Sequence, residues 1–160
     1  MRKLLNIVSA LVVFAAGNLQ AAPDASTNAP LGFYVVSQIK MEGGKLIDTP
    51  QFPHLGYVAA TPDLALTRLK AVALDPSQDR TVPAAAEHPV IIVTIYPEDA
   101  DKLTMLTKNS IGQRILLMLG DTPLLAPHIR SPLTTMRFKL TCGKASDEPV
   151  IEAGLKKLVQ

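Results

Sequence analysis

The sequence predicts an α+β fold: a mixed, largely antiparallel sheet with about two helices packed on one face. Three observations carry that expectation. The β-branched run Val90-Ile91-Ile92-Val93-Thr94-Ile95-Tyr96 suits a central position in a sheet. Two later segments, one after Pro97 and one after Asp147, repeat apolar residues at helical spacing. The residues before position 75 alternate short extended stretches with turn formers, so strands fill the first half and the order βαβββα fills the second.

The N-terminus has its own pattern. Arg2-Lys3 precedes an apolar run from Leu4 to Ala16, broken only by Asn6 and Ser9. Leu19-Gln20-Ala21 then places a small residue before Ala22-Pro23, so residues 1–21 read as a cleaved secretory signal peptide. At about 1.5 Å per residue the run spans ~20 Å, short of a bilayer's ~30 Å hydrocarbon core. No cysteine follows it to take a lipid. The expected compartment is the periplasm. Residues 22–30 are small, polar and proline-containing and read as a flexible tether. Residues 31–160 are expected to form one domain. Within it, residues 75–89 gather Pro76, Pro83 and Pro89 around Ala84-Ala85-Ala86 and read as a long loop.

Taken in order, Phe33-Tyr34-Val35-Val36 is a strand and Glu42-Gly43-Gly44-Lys45 a turn. The stretch Thr49 to His54 carries Pro50 and Pro53, too many prolines for a central strand. Gly56 to Ala59 is extended, and the loose alternation of Ala65 to Leu74 fits a strand or a short helix and favours one further strand. After the run 90–96, Pro97 opens a helix whose first turn holds Glu98, Asp99 and Asp101 at its positive end. Ala100, Leu103 and Leu106 mark its buried face, and Gly112 lies just past its end. Gln113 to Leu119 is a strand, Gly120 to Pro123 a turn, and Leu124-Leu125-Ala126 extended again. Arg137 to Thr141 alternates polar and apolar as a half-exposed strand does. Ser146 or Asp147 caps a last helix with Pro149 in its first turn. Ile151, Leu155 and Leu158 face its core, and Lys156 and Lys157 lie near its negative end. Gly154 inside that helix costs about 1 kcal/mol relative to alanine.

Composition narrows the function. Sixteen Lys and Arg stand against 14 Asp and Glu, and Arg2 and Lys3 supply the excess of two. The remainder is neutral and does not fit a nucleic-acid partner, which needs clustered surplus cations. One cysteine excludes an internal disulfide and any cysteine-based zinc cluster. With no tryptophan and 4% aromatic residues, Leu, Ile, Val and Ala must build the core.

No constellation of catalytic, cofactor or metal residues emerges. His54, His88 and His128 are scattered and lack the spacing of converging ligands. Neither a nucleophile elbow nor a Ser-x-x-Lys pair occurs, and Gly43-Gly44 is an isolated turn and no phosphate loop. Cys142 beside Gly143 reads as a small buried hydrophobe. It would be a reactive thiol only if the last helix lowered its pKa. Glu98, Asp99 and Asp101 read as water-exposed acids at a helix start, not as an acid–base pair. Lys102 and Lys108 read as a solvated helix face, and Met105 and Met118 as core filler. The expectation is a protein that is not an enzyme and needs no cofactor.

Several turn motifs fall in a recognisable order. Ile92-Val93-Thr94-Ile95-Tyr96-Pro97-Glu98-Asp99-Ala100 is a strand running into a helix. Leu106 to Asp121 supplies a helix end, a glycine hinge at Gly112 and a strand. Leu124-Leu125-Ala126-Pro127-His128-Ile129-Arg130-Ser131-Pro132-Leu133 follows, and Thr141-Cys142-Gly143 turns before the last helix. Together, residues 88–159 resemble the head subdomain of the first periplasmic domain of SecD and SecDF, accessory subunits of the bacterial protein-export translocon. Residues 31–74 resemble it only loosely. The resemblance implies the fold and contact with an unfolded polypeptide. It does not extend to proton-coupled movement, for which this sequence has no multi-spanning region. Gly112, Gly120, Pro127 and Gly143, which carry the match, shape the backbone and are not catalytic. The expectation is therefore a polypeptide-binding or protein-binding module linked to export or envelope proteostasis. The alternatives are a small periplasmic enzyme or ligand-binding protein, marked by a convergent polar pocket, and a secreted inhibitor or immunity-type protein.

Overall fold

The computed structural model describes residues 29–78, 81 and 88–160. The signal-peptide segment, most of the tether and most of the loop expected between residues 75 and 89 lie outside the described residues. Among the described residues the order is β1 (Leu31–Val36), β2 (Lys45–Thr49), β3 (Phe52–Val58), β4 (Leu64–Leu66), β5 (Ala71–Leu74) and β6 (Val90–Thr94). Then come α1 (Pro97–Asn109), β7 (Arg114–Leu119), β8 (Thr122–Leu125), β9 (Arg137–Thr141), a 3₁₀ turn (Ala145–Asp147) and α2 (Glu148–Lys156). The α+β class and the order βαβββα of the second half are as the sequence predicts.

The strands divide among three antiparallel sheets: β4-β1-β7-β8, β5-β6-β9 and the hairpin β2-β3. The β-branched run forms β6, central between β5 and β9 as expected. β7 joins the sheets into one body because both its faces are covered. Ile115 and Leu117 point into the larger core with Ile91, Val93, Leu103 and Leu155. Leu116 and Met118 point the other way, into a smaller core closed by Ile47, Leu55 and Val58 of the hairpin. Burying one such side chain stabilises by about 1.5–3 kcal/mol, so a strand buried on both faces contributes more than any edge strand.

The hairpin lies across the end of β1. Ser37 and Tyr57 exchange reciprocal backbone hydrogen bonds, each 2.8 Å. That approach requires Gly56. Its φ is +127°, and a Cβ there would lie 2.5 Å from the Ser37 carbonyl oxygen. The prolines of residues 49–54 are accommodated as expected, since Pro53 sits near the start of β3, in a two-stranded sheet.

One expected strand is two. Ala65 to Leu74 breaks into β4, which pairs with β1, and β5, which pairs with β6. The chain changes sheets at residues 67–70, held by the C-terminal residues. Leu69 N–H donates to the Leu158 carbonyl at 2.7 Å, and Gln160 N–H donates to the Leu69 carbonyl at 3.2 Å. The Arg68 guanidinium stacks 4.5 Å above the Tyr96 ring centre.

Both helices carry a proline in the first turn as predicted, and Ile151, Leu155 and Leu158 pack on the larger core. The side-chain cap expected from Ser146 or Asp147 does not form; the Ser146 hydroxyl donates instead to Asp147 Oδ1 at 3.2 Å. Gly154 has a packing reason. A Cβ there would lie 2.6 Å from Leu119 Cδ2, so its absence lets α2 lie close on β7.

Candidate functional site

The residues that chemistry would recruit lie apart. His54 sits on an irregular stretch of the hairpin at φ +51°, its imidazole 3.7 Å from the Asp48 carboxylate. His88 precedes β6, and His128 faces solvent opposite Arg114. Among the described residues no three His, Cys, Asp or Glu side chains converge as metal ligands do. Cys142 is 2% exposed. Burial raises its thiol pKa, and the nearby Glu148 and Asp147 carboxylates push the same way. The last helix therefore does not activate it.

Two expectations about α1 need correction. Asp99 is not exposed to water: it is 7% exposed, with Lys102 Nζ at 3.0 Å and Arg68 Nε at 4.0 Å, while Glu98 pairs with Arg68. A helix-start acid can be buried here because cations match its charge. Met105 is not core filler: it is 63% exposed, on the face of α1 opposite Leu103, whereas Met118 is buried.

The concave feature of interest is an apolar cleft of about 350 Å³ between the two larger sheets. Its floor is Phe33, Ile115, Leu117 and Ile129. The rings of Phe33 and Phe138 meet edge to face across it, with centres 6.0 Å apart. One wall is the outer side of β8 and the residues after it, which continue along β7: Ile115 N–H donates to the Pro127 carbonyl at 3.1 Å and Ile129 N–H to the Gln113 carbonyl at 2.8 Å. The other wall is β9, through Arg137, Phe138, Lys139 and Leu140. Leu133 closes one end, fixed to α1 at both backbone groups. Its N–H donates to Thr107 Oγ1 at 2.9 Å, and its carbonyl accepts from Thr104 Oγ1 at 2.7 Å. β8 and β9 are edge strands and do not pair with each other.

The cleft's strands are legible in the sequence, but the cleft between them is not. The available signal was the apolar stretch from Leu124 to Leu133 followed by the alternating strand 137–141. Apolar side chains on both sides of an edge-to-edge gap read as ordinary core in one dimension.

A charged pair on the back of β9 steadies this wall. Lys139 Nζ lies 2.6 Å from Asp75 Oδ2, and Ser77 donates to Asp75 Oδ1 through its hydroxyl at 2.6 Å and its backbone N–H at 3.0 Å. The Lys139 hydrogen bond, then those from Ser77, hold the Asp75 carboxyl at about 2 against an ordinary 3.8. The folded-state value is depressed, so this stabilisation is complete above the ordinary value and is lost as pH falls through the folded one. Denaturation midpoints measured from pH 5 to pH 2 should fall with acidity in the native sequence. Asp75→Asn should start lower at neutral pH and decline less steeply over the same interval. Parallel curves would show that the pair contributes nothing.

Two antiparallel sheets on a shared core, two helices and an open cleft between sheet edges define a SecD-like α+β fold. The same fold occurs in solved structures of SecDF. One is described as a membrane component that enhances protein export; the likeness has a TM-score of 0.53 and 22% identity over 79% of this chain and 60% of that one. Another is SecDF in its super-membrane-facing form, with a TM-score of 0.54 and 22% identity over 81% of this chain and 19% of that one. This chain thus spans less than two thirds of either. The likeness covers more than residues 88–159 can supply, so it includes part of the first half, where the sequence resembled the family only loosely. No protein-family model matches the chain, and no curated protein matches it. Among the described residues no helix is long and apolar enough to cross a membrane.

Proposed function

We propose that this chain is a periplasmic, non-catalytic polypeptide-binding module acting in protein export or envelope proteostasis. The observation that carries the reading is the apolar cleft between the unpaired edges of β8 and β9. Such a cleft accepts apolar side chains of varied sequence, while edge strands offer main-chain hydrogen bonds that do not depend on sequence. The fold shared with SecDF supports an export context, and the signal-peptide pattern of residues 1–21 supports the compartment. Ordering an extended chain opposes binding, so the affinity is modest.

An unfolded secretory protein titrated into isotope-labelled protein should shift the signals of Phe138, Leu125, Ile129 and Leu133 together. Leu125→Asp should weaken the interaction while leaving the fold intact, since Leu125 is only half-buried. Absence of any shift at high concentration, with one folded partner binding tightly instead, would replace this reading with that of a dedicated inhibitor.

A further inference from the structure

We infer that the cleft's occupant binds as an added strand on β9, and that β8 acts only as an apolar wall. This inference rests on the polypeptide-binding reading and specifies its geometry.

The two edges differ in what they offer. β9 pairs with β6 in unbroken register from Thr94↔Arg137 to Val90↔Thr141. Ile95 N–H donates to the Met136 carbonyl and Cys142 N–H to the Pro89 carbonyl. Antiparallel alternation therefore turns the backbone groups of residues 136, 138, 140 and 142 toward β6, and those of Arg137, Lys139 and Thr141 outward. The Thr135 hydroxyl already meets both outward groups of Arg137, at 3.1 Å and 3.0 Å. Among the described residues Lys139 and Thr141 are left with an outward N–H and carbonyl each, spaced as an incoming strand requires. β8 offers no such ladder. Its register shifts at Leu117/Met118, Pro123 and Pro127 lack donors, and the Leu124 carbonyl accepts from Gln51 Nε2 at 3.4 Å.

Charge selects among extended chains. Arg137 lines the cleft and Arg130 follows its floor residue Ile129; neither takes part in an ion pair among the described residues. Lys139 is matched by Asp75. The cleft therefore favours a segment alternating apolar residues, which point to the floor, with acidic or neutral ones, which face Arg137.

The test uses a short synthetic peptide alternating valine with glutamate and threonine, and two N-methylated versions of it. Methyl groups on one alternate set of amides should weaken binding by about tenfold, as loss of one or two hydrogen bonds would. The complementary set should bind as the parent does. Hydrogen exchange of the Lys139 and Thr141 amides should slow in step with occupancy, and lysine in place of glutamate should weaken the peptide. Equal effects of both methylated sets would overturn the assignment to β9 alone. Shifts in Leu125, Ile129 and Leu133 with unchanged exchange at Lys139 and Thr141 would keep the polypeptide reading and remove strand addition. No shift anywhere would remove both.

Discussion

Gly56→Ala is expected to cost about 3 kcal/mol or more, the largest effect of an added methyl group at any of the described glycines. Two independent costs add at this position. The backbone conformation, at φ +127°, is one that glycine alone adopts readily. The new Cβ would also lie 2.5 Å from the Ser37 carbonyl, a backbone atom that cannot rotate away. Relief requires lifting the hairpin from the end of β1, which breaks the two Ser37–Tyr57 hydrogen bonds and uncovers Val36, Leu116 and Met118. Urea denaturation followed by circular dichroism would measure the loss. A midpoint within error of the parent's would show that the hairpin does not dock as described.

Leu116→Ala is expected to destabilise by about 3–5 kcal/mol and to lower the melting temperature by about 10 °C or more. Leu116 is 0% exposed and sits on β7 between the smaller core's strand and hairpin contributions, so neither side can collapse into the space without moving a sheet. Met105→Ala removes a side chain of similar size from the exposed face of α1 and should stay within about 0.5 kcal/mol of the parent. Calorimetry on the pair separates the two cases. Equal losses would contradict the two-faced burial of β7.

Much of the fold could be read from the chain because some of its segments tolerate only one setting. Val90 to Thr94 has no polar face to expose and must be central; Pro97 and Pro149 fit only the first turns of helices. The unreadable parts depend on partners distant in sequence. Ala65 to Leu74 looks continuous because its alternation runs on while the chain changes sheets, and the change is held by Leu158 and Gln160, which no local pattern can announce. The same holds for Asp99, whose burial depends on Arg68, and for Met105, whose helical position gives no account of which neighbours are missing. The cleft was illegible for the same reason: it exists only where β8 and β9, from different sheets, come close without pairing.

The pairing of β1 with β7 sets the order of events as the chain acquires its structure. A nascent chain emerges with Leu31–Val36 first, and the partner of that strand, Arg114–Leu119, arrives only after most of the sequence has appeared. Until then the first strand can pair only with β4 and touch the hairpin at Ser37–Tyr57, while its other edge and the side chains that β7 covers stay open. Such distant closure makes folding slow, because chain entropy is lost before contacts repay it. The domain must therefore pass through an interval in which one edge of its first strand is open, vulnerable to the strand-to-strand association that its finished edges would offer to others.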